Sequence, residues 1–249
     1  MDSSEKGKDT SRWAPDPGFH TTQWTRLRDA AGRDEEQAGR ALEELCRDYW
    51  YPVYSFIRRA GNPAEEAKDL TQSFFEFFLT KKPYLRADPA QGRFRTFLLA
   101  CLKNHLKANH RNAQALKRGG GMEFTPLQWD DAEGRYLDEP GHEESPERLY
   151  DRNWAMTLMN EAATRLQREC EADGEGERFR ILSPVIQDLR SATMADLASQ
   201  LGLSENGAKS AARRFRQRFR ELFEESVGDQ LSNRKDLAQE IQLLFEALR

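Results

Sequence analysis

The segment from Thr193 to Ala212 constrains the fold of this chain most, because it predicts two short helices joined by a tight turn. Thr193 is suited to cap the first helix, and Ser204 is suited to cap the second. Gly202 lies where the turn requires a left-handed backbone, which glycine adopts at the lowest cost. Ala198 is small, as it must be where two helices cross closely. The pattern predicts a helix-turn-helix.

In helix-turn-helix proteins that bind DNA, the N-terminal part of the second helix enters the major groove. Its inner face is predicted to be apolar, with leucines beneath it: Ala208, Ala211, Ala212, Phe215, Phe219, Leu222, Leu197, Leu201 and Leu203. Outward side chains that suit phosphates and base edges are expected at Ser204, Glu205, Asn206, Lys209, Ser210, Arg213 and Arg214. Gly207 departs from the pattern, since glycine weakens a helix by about 1 kcal/mol relative to alanine. The alternative is a helical hairpin without a DNA role.

Charge is distributed unevenly along the chain, which has 249 residues and a net charge of −4. Residues 103–118 and 209–220 contain Lys and Arg but no Asp or Glu, whereas residues 123–148 contain nine acidic residues and two arginines. A basic helix can neutralise phosphates and release their counterions. The negative total therefore does not exclude nucleic acid as a partner. For either basic run alone, a solvated helix face is the other interpretation.

The spacing of apolar residues predicts an all-α fold of two small helical domains joined by a linker. Pro52 is expected at a helix start, and Asn62 is expected to cap the next helix in a capping box with Glu65. The predicted parts are a disordered N-terminus (1–19), a first helical domain (20–118), an extended acidic linker (119–150), a helix-turn-helix domain (151–228) and a C-terminal amphipathic helix (229–249).

Several classes of protein are excluded by what the sequence does not contain. No apolar run approaches the roughly 18–20 residues of a membrane span, and no hydrophobic stretch follows the N-terminus as in a secretory signal. Cys46, Cys101 and Cys170 lie far apart without a CxxC motif, so a reducing cytoplasm is expected. The histidines show no ligand spacing, and the GxxxxGK[ST] and GxSxG motifs are absent. The chain is therefore predicted not to be an enzyme, with no catalytic residue, metal or cofactor.

Two motifs in the first half, in addition to the helix-turn-helix, resemble the sigma-70 family of bacterial RNA polymerase sigma factors. Residues 69–75 read DLTQSFF and residues 94–98 read FRTFL, followed by a basic helix, which is similar to sigma region 2. The part from Leu197 to Phe223 is similar to region 4. With no room for regions 1.1 and 3, the chain resembles the extracytoplasmic-function (group 4) type. Residues 49–52, YWYP, also resemble a sub-group common in planctomycetes.

The resemblance implies a factor that binds core RNA polymerase at the β′ clamp helices and the β flap, recognises promoter DNA and directs transcription initiation. The β′ contact would involve Asp69, Leu70, Gln72, Phe75 and Glu76, with Ser73 departing from the usual glutamate. The melted minus-ten strand would be held by Arg93, Arg95, Lys103, Asn104, Lys107, Asn109 and Arg111. The second helix of the helix-turn-helix, residues 204–214, would read the minus-thirty-five duplex.

Alternatives remain open for the function, the linker and the tail. The rival functions are a free-standing helix-turn-helix regulator that binds DNA as a dimer and an interaction protein of the anti-sigma or adaptor kind. The linker either mimics a polyanion in the polymerase cleft or is a solvated spacer. The amphipathic tail either packs on the second domain, or docks on the first domain or a regulator and holds the factor inactive; its apolar residues are Leu237, Ile241, Leu244, Phe245 and Leu248. An anti-sigma or kinase-type regulator is a further candidate partner, and no membrane is expected.

Overall fold

The structure is a computed structural model that describes residues 35–85, 93–113, 129–139, 144–187, 193–231 and 233–249. These residues form helices and no strand, which confirms the all-α prediction for this part of the chain. The predicted disordered N-terminus lies outside it. The α-helices are α1 (Glu35–Arg59), α2 (Ala64–Lys81), α3 (Phe94–Ala113), α4 (Trp129–Asp138), α5 (Pro146–Ala172), α6 (Gly176–Leu182), α7 (Pro184–Gln187), α8 (Met194–Leu201), α9 (Glu205–Gly228) and α10 (Leu237–Ala247).

Helix α1 runs without a break through Pro52, so the prediction that a helix starts at this proline is wrong. Pro52 has no N–H to donate to the carbonyl of Asp48, a loss that normally destabilises a helix interior. Aromatic side chains on both sides of the proline are buried, among them Tyr49 and Phe56. Their burial favours the continuous helix, because each large apolar side chain removed from water contributes about 1.5–3 kcal/mol.

Helix α2 begins after Pro63, and Asn62 does not cap it. The Asn62 amide nitrogen Nδ2 instead donates a hydrogen bond to the carbonyl of Ile57 at 2.9 Å. No side chain caps the start of α2, so the predicted capping box with Glu65 does not form. The prediction fails because the end of α1 also has orphan carbonyls, and the asparagine satisfies one of them.

Helix α5 lies against α1 and joins the two halves of the chain. The rings of Phe56 and Tyr150 meet edge to face at 6.3 Å between centroids, and Asn153 donates to the buried Ser55 hydroxyl at 2.9 Å. Buried side chains from both predicted domains belong to one hydrophobic cluster. The domain boundaries stay predictions, but the described residues on either side of them share a core.

Helix α4 occupies residues 129–138, where the sequence predicted an extended linker. Its Glu133 accepts hydrogen bonds from Arg58 at 2.6 and 2.9 Å and from the Tyr54 hydroxyl at 2.6 Å. Glu139, directly after the helix, accepts one from the Tyr51 hydroxyl at 2.6 Å. These carboxylates face an arginine and two phenols on α1, and this complementarity docks the segment onto α1.

Helix α10 coincides with the predicted amphipathic tail and packs on α5 and α9. Leu244 and Ala247 are buried in that contact. Phe245, expected on the apolar face, is exposed, although its ring lies 5.8 Å from that of Phe223. Glu240 is buried on the inner face together with Leu244 and Ala247.

Candidate nucleic-acid interface

Helices α8 and α9 occupy the segment predicted to be a helix-turn-helix, and they are joined by a short turn with both predicted caps in place. The Thr193 hydroxyl oxygen accepts a hydrogen bond from the Asp196 N–H at 3.2 Å, and the Ser204 hydroxyl oxygen accepts one from the Gly207 N–H at 3.2 Å. Gly202 ends α8 with φ +62°, the left-handed conformation that the turn requires. The local signals in this segment therefore predicted its geometry correctly.

The inner face of the motif is buried largely as predicted. Leu197 and Ala198 of α8 are buried, and the ring of Phe215 on α9 lies 5.7 Å from that of Phe179 on α6. The buried members of the α9 face are Ala208, Ala211, Ala212, Phe215 and Leu222, whereas Phe219 is half-buried. Two of the leucines expected beneath the turn differ, because Leu201 is half-buried and Leu203 is 45% exposed.

Gly207 departs from the sequence pattern expected for a helix. In the structure, its backbone lies close to Leu203 and Ser204 at the turn. A Cβ atom added there would lie 3.2 Å from the Leu203 Cβ and 3.4 Å from the Ser204 hydroxyl oxygen. The first of these is tighter than an ordinary van der Waals contact, so a larger residue would push against the turn. Glycine at this position permits the tight connection between α8 and α9.

The seven residues predicted to face DNA on this motif are all exposed: Ser204, Glu205, Asn206, Lys209, Ser210, Arg213 and Arg214. Among the described residues, no ion pair engages Lys209, Arg213 or Arg214. Three cationic side chains are thus presented to solvent over the first turns of α9. This placement leaves them available to phosphates or base edges.

The later arginines of the same basic run have structural partners. Arg216 donates to the carbonyl of Val185 at 3.2 Å, and Arg218 forms an ion pair with Glu169 of α5 at 2.7 Å. The hydrogen bonds with Glu169 raise the pKa of Arg218 against the opposing effect of burial. The candidate interface is therefore restricted to the first half of the basic run, a distinction that charge counting along the sequence does not make.

The predicted minus-ten residues on α3 are placed less uniformly. Asn104 and Lys107 are exposed, while Lys103 pairs with Glu147 of α5 at 2.7 Å. Asn109 is half-buried, with its Nδ2 2.9 Å from the His105 ring nitrogen Nε2. Arg111 belongs to α3, but its side chain lies outside the described residues.

Arg95, near the start of α3, points into the protein, and Arg93, directly before the helix, is half-buried. Arg95 is 7% exposed, and it forms ion pairs with Asp151 of α5 and Glu240 of α10. Burial lowers the pKa of its guanidinium, but the charges of Asp151 and Glu240 outweigh that effect and raise the pKa. Arg93 pairs with Glu240 at 2.8 Å. The expectation that these two arginines face DNA does not hold in this conformation.

The predicted polymerase-contact residues lie on α2. Asp69 is exposed, and Leu70, Gln72 and Glu76 are half-buried. Phe75 is an exception, because its side chain is fully buried in the core and cannot take part in a surface contact. The sequence could not separate it from the contact motif, since the motif and the buried stripe of the helix overlap.

Three acidic residues form the ion pairs with Arg93, Arg95 and Lys103, and the sequence did not identify them as partners. For Asp151 and Glu147, the sequence pattern predicts ordinary solvent-exposed positions. Glu240 carries a detectable signal, because it falls between Leu237 and Leu244 in the apolar stripe of the tail. A carboxylate in such a stripe indicates a buried cationic partner.

Comparisons with known proteins return no match to any family model, curated protein or solved structure. Within the described residues, no cluster of three or more His, Cys, Asp or Glu side chains is placed to hold a metal ion. In that same part of the chain, no helix combines the length and apolar character that crossing a membrane requires.

Proposed function

We propose that this chain is an alternative sigma factor of the extracytoplasmic-function type, which acts in the bacterial cytoplasm. In this proposal it binds core RNA polymerase, recognises the minus-ten and minus-thirty-five elements and directs transcription initiation. It performs no chemistry of its own and needs no metal or cofactor.

The observation that carries the proposal is the exposed, charged first half of α9 in a correctly capped helix-turn-helix. Lys209, Arg213 and Arg214 extend from the turns that enter the major groove in such motifs. Asn206, also exposed, has the amide that pairs with adenine. Exposed Lys and Arg are common on any solvated helix face, so the support for DNA binding comes from their grouping on the turns that follow the Ser204 cap.

The first half of the chain supports a second interaction surface. Helix α2 buries Phe74 and Phe78 and leaves Asp69 exposed and Gln72 and Glu76 partly so. In the proposal, this polar face contacts the β′ clamp helices of core polymerase. Ser73 does not join it, because its hydroxyl lies 3.1 Å from His105 Nε2 on α3.

The deciding experiment is in vitro transcription with purified bacterial core RNA polymerase and fragments of the source genome. The full chain is expected to direct initiation from specific start sites. A double variant, Asp69→Ala with Gln72→Ala, should lose binding to core polymerase in a pull-down. Glu66→Ala is the matched control, since Glu66 is exposed on the same helix outside the proposed contact.

The free-standing regulator makes the opposite prediction in the same experiments. It would bind promoter-sized duplex DNA without polymerase and would not be retained by core polymerase. A folded chain that binds DNA alone, does not bind core polymerase and directs no start site would overturn the proposal.

A further inference from the structure

Glu240 of α10 lies between the two arginines at the start of α3. Its Oε1 atom is 3.1 Å from Arg95 Nη2, and its Oε2 atom is 2.8 Å from Arg93 Nε. The neighbouring Gln239 accepts a hydrogen bond from Arg93 Nη2 at 3.0 Å. The side chain of Glu240 is 2% exposed, so this carboxylate is buried against both guanidinium groups.

The contact of Glu240 with Arg93 and Arg95 is unlike the usual apolar packing of an amphipathic helix. Leu244 and Ala247 on the same face of α10 are buried among apolar groups. Desolvation of a carboxylate opposes burial, and a buried ion pair is often no more stabilising than apolar side chains of similar size. The ion pair gives the contact a defined position, since Glu240 reaches both Arg93 and Arg95 in this register of α10.

The segment before α10 makes a second attachment at the same place. The carbonyl of Gln230 accepts a hydrogen bond from the Phe94 N–H at 3.2 Å, which satisfies a free donor at the start of α3. The Gln230 side chain also donates to the Tyr49 hydroxyl at 2.8 Å. The chain end thus reaches the first turn of α3 through the Gln230 backbone, and it reaches α1 through the Gln230 side chain.

We propose that α10 is an internal latch that covers Arg93 and Arg95, the N-terminal end of the proposed minus-ten strand surface, with Glu240 in the place of a DNA phosphate. The inference rests on the proposed function for the assignment of Arg93 and Arg95 to single-stranded DNA. In the closed state, two guanidinium charges face the carboxylates of Glu240 and Asp151. When α10 leaves, Asp151 remains on α5, and the arginine pair regains a net positive charge that attracts the phosphate backbone.

The size of α10 suits a segment that opens while the core stays folded. The helix has 11 residues, and Leu243 and Phe245 on its outer side are exposed. Segments with few buried apolar groups open at a lower free energy than the core helices. Helix α5, in contrast, buries Trp154, Tyr150 and Leu158 completely and remains as the fixed part of the site.

The first test compares Glu240→Gln with the wild-type chain in binding a short fluorescein-labelled single strand of DNA, measured by anisotropy. The substitution keeps the shape of the side chain and removes its charge, so we expect the affinity to rise about fivefold or more, the lower end of typical coupling between two sites. The matched control is Glu246→Gln, because Glu246 is exposed on the same helix. It should bind like the wild type, and equal binding by all three proteins would overturn the latch.

The second test uses the wild-type chain, so it does not depend on the folding of a variant. Hydrogen exchange of the α10 backbone amides is measured with and without the same single-stranded DNA. Loss of protection in α10, with α5 unchanged, is the expected result. Saturation of the protein with DNA while α10 keeps its full protection would contradict the proposal.

A pull-down with core polymerase separates failure of the latch from failure of the proposed function. If the chain binds core polymerase but neither test detects opening of α10, the latch is wrong and the sigma function stands. If the chain does not bind core polymerase while Glu240→Gln still increases DNA binding, the sigma function is wrong. The latch then stands, and this chain is a DNA-binding protein of another class.

Discussion

The indole of Trp154 stacks on the phenol ring of Tyr49, with 4.0 Å between ring centroids and 16° between ring planes. Both side chains are buried, one on α5 and the other on α1. The sequence placed these helices in different domains, so this pair lies where the two predicted domains meet. Because this stack joins their cores, we expect α1 and α5 to unfold together in the free protein.

Trp154→Ala should therefore destabilise the whole chain. Removal of a large buried aromatic side chain typically costs about 3–5 kcal/mol, from the lost burial and the cavity that remains. We expect chemical unfolding followed by circular dichroism to show one transition at lower denaturant concentration.

Met156→Ala is the control for this substitution, since Met156 lies on the same helix and is exposed. The free energy of unfolding of the Met156→Ala protein should stay within about 0.5 kcal/mol of the wild-type value. Two separate transitions in the wild-type protein, with Trp154→Ala changing only one, would show that the halves have independent cores.

The turn of the helix-turn-helix gives a second prediction. Gly202→Ala should destabilise the protein by roughly 1 kcal/mol, because φ is +62° at this position and a Cβ atom strains a left-handed backbone. Gly176→Ala is the matched control. Its added Cβ meets only the Glu171 Cγ at 3.5 Å, an ordinary contact. Thermal unfolding of the two variants measures the difference, and equal melting temperatures would contradict the argument.

Local signals predicted the two helices, the turn and the caps of residues 193–212 because their determinants are close in sequence. Thr193, Gly202 and Ser204 each act on backbone groups within a few residues, and each does in the structure what the sequence indicates. The helical spacing of polar and apolar residues also predicted which side chains of α9 are exposed. Short-range chemistry was sufficient for this part of the site.

Local signals gave wrong predictions where contacts between residues distant in sequence determine the structure. Pro52 remains inside a helix because packing against α5 outweighs its local preference. Arg95 looks like a solvent-facing basic residue until Glu240, 145 positions away, is placed beside it. The position of Glu240 in an apolar stripe indicates a buried cationic partner, but nothing in the local pattern identifies that partner as Arg95.

His105 predicts a dependence of stability on pH. Burial lowers the pKa of its imidazole below the usual value near 6.5. Its Nε2 atom lies 2.9 Å from Asn109 Nδ2, and a nitrogen that accepts this hydrogen bond must be unprotonated. Since the folded-state pKa lies below the unfolded-state pKa, protonation favours the unfolded chain. The stabilisation is complete above the unfolded pKa and is lost as the pH falls through the folded pKa.

Urea unfolding from about pH 8 to about pH 5 measures this dependence. In His105→Gln, whose amide oxygen can still accept a hydrogen bond, the decrease of stability towards acid should be smaller than in the wild type. His110→Gln is the control, because His110 is exposed on the same helix. If His105→Gln keeps the full wild-type slope, another group is responsible.

The exposed start of α9 gives the last prediction, which concerns the salt dependence of duplex binding. Arg213→Ala should weaken binding of the polymerase complex to promoter duplex and reduce the slope of log affinity against log salt by about one, the value expected for one lost phosphate contact. Arg220→Ala should leave the slope unchanged, because Arg220 lies further along α9 and pairs with Glu224 at 2.8 Å. Equal slopes for the two variants would show that Arg213 does not contact the phosphate backbone.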